Sequence, residues 1–139
     1  MRSLLLALSL LASLAATSAL AGDAETKAGR DAIDGQIRAF LAGDDATAYS
    51  YAAPNVKRLF PTLETFMAMV TSGYQPVYKP RNYAFGKVRE LSTTSIVQQV
   101  LVVGPDGRDY EAIYTLEMQP DGNFRITGVS LRASNSLGA

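Results

Sequence analysis

The chain has 139 residues with 13 basic and 13 acidic side chains, and it contains neither His nor Cys. A chain of this length holds one domain, and the balanced, unclustered charge leaves no electrostatic footprint for nucleic acid. The two missing residue types exclude disulfides, thiolate nucleophiles, Ser-His-Asp and Cys-His catalysis and zinc-hydrolase sites.

Met1-Arg2 is a short positive start, Leu4 to Leu14 an apolar run of Leu and Ala with two Ser, and Ser18-Ala19-Leu20-Ala21 a small-residue exit. Together these are the three parts of a secretory signal. The expectation is a signal peptide over residues 1–21, cleaved after Ala21, and a single domain over residues 22–139 that is periplasmic or secreted. The apolar stretch approaches the lower length limit for crossing a bilayer. It is diluted by Ala and Ser and no positive stop follows, so no membrane association is expected after cleavage.

Helical patterning comes next. Ile33, Ile37, Phe40 and Leu41 fall on one face at 3.6 residues per turn, which predicts a helix over Ala28–Ala42, ended by Gly43. Asp44-Asp45 offers an N-cap for a short helix over Ala46–Ala53, and Pro54 interrupts it. One or two further turns follow over Asn55–Phe60. Thr62 caps a third helix running to Ser72, with Glu64 in the first turn, where the helix dipole favours it. Pro76 and Pro80 predict an extended connector or edge segment over Tyr74–Arg81.

From Asn82 the pattern changes to strands over Tyr83–Leu91, Ser95–Val103, Asp109–Gln119 and Phe124–Arg132. The second is apolar on both faces, as a central strand is. Gly104-Pro105-Asp106-Gly107 and Gln119-Pro120-Asp121-Gly122 each supply a Pro preset for a turn and a Gly for positive φ. The fold class expected is α+β, with N-terminal helices packed on a strongly curved antiparallel sheet. Such an arrangement makes a cone with a cavity at its wide end.

The ordered set Ile37-Arg38-Ala39-Phe40, Asp44-Asp45, Ala53-Pro54, Phe60-Pro61, Phe66-Met67-Ala68-Met69-Val70, Gly73-Tyr74, Pro76-Val77, Gln119-Pro120-Asp121-Gly122-Asn123-Phe124-Arg125-Ile126 and Gly128-Val129 covers nearly all of the chain after the signal. It resembles the bacterial exported family catalogued as domain of unknown function 4864, within the nuclear transport factor 2-like (cystatin-like α+β) superfamily. Phe124 stands where that pattern has Trp. The resemblance implies the cone fold and export, and it implies no reaction. Other relatives in the wider fold, of the ketosteroid isomerase and polyketide cyclase types, use a carboxylate base with Tyr or protonated Asp donors and no metal or cofactor.

The carboxylates offer little for such chemistry, which needs one whose pKa is raised by an apolar pocket. Glu111 and Glu117 alternate with Tyr110, Ala112, Tyr114, Leu116 and Met118. If the Tyr face looks inward, the glutamates face solvent or a partner. Asp44-Asp45 reads as a helix cap, and Asp106 and Asp121 as turn residues. The seven Tyr each carry an apolar ring and a polar tip. Tyr74, Tyr78, Tyr83, Tyr110 and Tyr114, with Arg81, are the candidate ligand-binding set at the cone cavity and its rim. The function expected is a non-catalytic module of the cell envelope that binds a protein or a small hydrophobic or amphipathic molecule without a cofactor. The alternatives are a cofactor-independent isomerase, cyclase or lyase, and a homodimeric scaffold paired through the sheet face.

Overall fold

The computed structural model describes residues 17–134. Most of the expected signal peptide lies outside the described residues. The elements are α1 (Thr17–Leu41), α2 (Asp45–Ser50), α3 (Pro54–Leu59), α4 (Leu63–Gly73), α5 (Gln75–Tyr78), β1 (Asn82–Ser92), β2 (Ser95–Val103), β3 (Asp109–Met118) and β4 (Phe124–Ala133). The α+β class holds, with helices first and then a curved four-stranded antiparallel meander in the order β1-β2-β3-β4.

Two expectations change. α1 begins before Ala28, because the preceding segment is rich in Ala, the strongest helix former. The Tyr74–Arg81 connector is not extended throughout. It holds one helical turn, α5, with Pro76 in the first turn, where its missing N–H costs no intrahelical bond.

Local chemistry explains the rest. Asp44 caps α2 by accepting from the Thr47 amide at 3.2 Å. Thr62 and Thr65 form a reciprocal capping box at α4. Gly107 and Gly122 take φ of +79° and +85° in the two strand turns, a region that disfavours any residue with a Cβ.

Two apolar cores result. The first lies between α1 and the inner face of the sheet, with Ile33 and Ile37 against Ile96, Val100, Tyr114 and Leu116. The second lies between α1, α2 and α4, around Phe40, Ala48, Phe66 and Val70. Burying a side chain such as Ile or Phe contributes about 1.5–3 kcal/mol. Because α1 is covered on two sides, its buried face also includes Ala32, Gln36 and Ala39, while Leu41 is 46% exposed. Gly29 lets α1 approach β2 closely, since a Cβ there would collide with Ile96.

Candidate functional site

β4 carries the feature that opens the molecule. Leu116 pairs with Ile126, but Thr115 pairs with Gly128, so Thr127 is an extra residue in β4. Such a bulge bends its strand. Here it is held by Thr127 Oγ1 donating to Thr115 Oγ1 at 2.9 Å and by Asn55 Nδ2 donating to the Thr127 carbonyl at 2.9 Å. Just before it, Ala53 N donates to Ile126 O and Ile126 N to Tyr51 O, so the segment before α3 covers this stretch of sheet edge.

Between the bulge and the helices lies a cavity of about 230 Å³. Ile126 to Val129 form its sheet wall. Phe40 and Gln36 of α1, Val56 and Leu59 of α3, Phe66, Met69 and Val70 of α4, and Tyr74 and Val77 complete the enclosure. The two cores meet here, and Tyr74 packs on both. The polar lining is sparse. Gln36 donates to the Ala48 carbonyl at 3.1 Å, and the Tyr74 hydroxyl reaches the Val129 carbonyl at 3.4 Å. Among the described residues, no ionisable group other than Tyr74 lines the cavity.

Over residues 23–139 the chain matches the family described as a domain of unknown function, DUF4864. The chain belongs to this family. No curated protein matches it. Seven of the nine segments by which the sequence resembles DUF4864 reach the cavity, through Phe40, Phe60, Phe66 to Val70, Tyr74, Val77, Ile126 and Gly128-Val129, while Asp44-Asp45 and Ala53-Pro54 do not line it.

The candidate Tyr and Arg side chains of this DUF4864 domain are distributed, not convergent. Tyr74 lines the cavity. Tyr78 stands edge-on to Phe40 at 5.5 Å in the second core, with Lys79 Nζ 4.9 Å from its ring. Arg81 is exposed beside the Gly107 turn. Tyr110 donates to Asp106 at 2.6 Å at that same end, which lifts its pKa and lowers that of Asp106. Tyr83 and Tyr114 point inward from β1 and β3.

Tyr83 donates to Asp34 of α1, and Asp34 pairs with Arg38 at 2.8 Å. Burial, and then the bond to Asp34, raise the Tyr83 pKa. Tyr114 is fully buried, its hydroxyl has no hydrogen-bond partner among the described residues, and burial pushes its pKa far upward. The glutamates face outward as the alternation predicts. Glu111 pairs with Arg132 at 3.0 Å, which holds its carboxyl below the usual range.

Sequence reasoning overlooked Gln36, Asn55, Thr127 and Gln98. A glycine inside a strand pattern, Gly128, is the available signal for the bulge. Gln98 shares parity with Ile96 and Val100, so its inward position was readable. It is 0% exposed, accepts from Arg30 Nε at 2.9 Å and donates to the carbonyls of Gly86 and Lys87, which form a second bulge in β1.

Proposed function

We propose that this chain is an exported bacterial binding protein with a nuclear transport factor 2-like cone, and that the cavity at the β4 bulge takes a small apolar or amphipathic molecule without transforming it. The observation that carries this reading is the cavity wall: apolar and aromatic side chains with a few amides and hydroxyls, and, among the described residues, no carboxylate to act as a base. A cavity of about 150 Å³ lined by aliphatic and aromatic groups already accommodates benzene. This one is larger and has the sparse polar groups typical of ligand sites. The Tyr83–Asp34 contact is the arrangement nearest to an acid–base pair. It supports catalysis poorly, because Asp34 is ion-paired and neither residue lines the cavity.

Export is supported by the N-terminal charge, apolar run and small-residue exit. A homodimer through the outer sheet face is a second reading. Leu101 is 47% exposed there, opposite Glu111 on β3, and further along the sheet are basic Lys87 and Arg89 on β1 and acidic Glu117 on β3. A two-fold axis along β2 would set each basic edge over the partner's acidic strand.

The test of the cavity is a homologous series of 1-alkanols, followed by amide NMR shifts. Affinity is expected to rise by about 0.8 kcal/mol per CH₂ until the cavity is full. Shifts should concentrate on α3, α4 and residues 126–129. Met69→Trp, which fills the space, should abolish binding while the spectrum stays folded. Binding that ignores chain length would sink the proposal.

A further inference from the structure

We infer that the ligand of this cavity is an amphiphile with an anionic head, and that Arg58 holds the head. The inference rests on the cavity reading above and adds the polarity of the ligand. Asn55 and Thr127, hydrogen-bonded to each other, line the apolar cavity and also a second, polar depression immediately beside it. Arg58, Glu117 and Gln119 complete that depression. The polar and charged groups of the depression are therefore separated from the apolar space by one shared pair of residues. Leu59, 74% exposed, is at the lip, where a bare apolar side chain lacks a cover.

The sign of the head follows from the charges around the exit. Glu117, the other charged side chain of the depression, is exposed on β3 opposite Arg125 in the β3–β4 register. Arg125 itself bonds Asp121 at 3.0 Å. On α3, Lys57 sits 5.2 Å from the Tyr49 ring. Arg58 is exposed and forms no ion pair among the described residues. The guanidinium is the group best shaped to grip a carboxylate, sulfate or phosphate with two parallel hydrogen bonds. At about 30 Å³ per water-sized unit, the apolar space holds a chain of roughly seven or eight such units.

Three probes with one tail separate the possibilities: octanoate, 1-octanol and octylammonium, titrated at neutral pH into the protein and into Arg58→Gln. Octanoate should bind about fivefold more tightly than 1-octanol, the upper range for an exposed ion pair. That advantage should shrink with added salt. Arg58→Gln should bring octanoate to the level of 1-octanol and leave 1-octanol unchanged. Equal affinity of octanoate and 1-octanol, or preference for octylammonium, overturns the anionic head and leaves the cavity reading standing. Failure of all three to bind overturns the cavity reading itself.

Discussion

Tyr114 is the residue where the fold tolerates a local loss. Its ring fills the middle of the first core, but its hydroxyl is buried without a hydrogen-bond partner among the described residues. An unsatisfied buried hydroxyl costs about 1–3 kcal/mol. Tyr114→Phe is therefore expected to raise stability at neutral pH by about 1 kcal/mol in urea unfolding. A loss instead would mean that the hydroxyl is bonded in solution. The alkaline behaviour has a definite sign. Tyr83 and Tyr114 have folded pKa values above their unfolded value of about 10. Their contribution is fully present below that value and drains away as pH rises above it. Unfolding measured at pH 9 and pH 11 should show the decline, and Tyr114→Phe should flatten it. Gln98 is the converse case, a buried amide with its partners in place. Gln98→Leu removes the amide that donates to the Gly86 and Lys87 carbonyls and accepts from Arg30 Nε, and an expected loss of about 2 kcal/mol is measurable by the same unfolding curves.

The elements depend on a few positions whose local chemistry is readable and a few whose context is not. The strand turns belong to the first kind. Gly122 has φ of +85° and no atom near the place a Cβ would take. Gly122→Ala therefore reports conformational strain alone, an expected loss of about 1–2 kcal/mol in unfolding free energy with the fold retained. The caps at Asp44 and Thr62 and the Pro-Asp turns were equally legible, because each depends on neighbours within four residues. The bulge at Thr127 belongs to the second kind. A glycine in a strand hints at it, but the extra residue is defined only by pairing with Thr115 on the adjacent strand. α5 is similar: Pro76 is compatible with an extended segment or a first helical turn, and packing of Val77 beneath α1 chose the turn.

At the scale of the whole molecule, the two cores meet at an open side of the sheet, and the cavity is the gap between them. The outer face supplies the remaining prediction. If a second copy covers it, sedimentation should show a dimer, and Leu101→Lys should convert it to a monomer without loss of fold. A monomer at all concentrations removes the dimer reading.

The amino-acid sequence by itself determined the chemistry that is excluded, the order of helices and strands, the central position of β2, and the shared face of Tyr110 and Tyr114. Those properties follow from composition, from 3.6- and 2-residue periodicity and from turn residues, all of which act locally. The tertiary structure decided where the candidate Tyr residues stand, since members of one apparent set belong to strands and helices that pack in different cores. It also decided that the cavity lies at a bulge in β4, because that space is bounded by side chains up to 93 positions apart, Gln36 and Val129. Periodicity fixes which face a side chain occupies, and only the packing of α1, α3 and α4 against the bent strand determines which faces enclose a space.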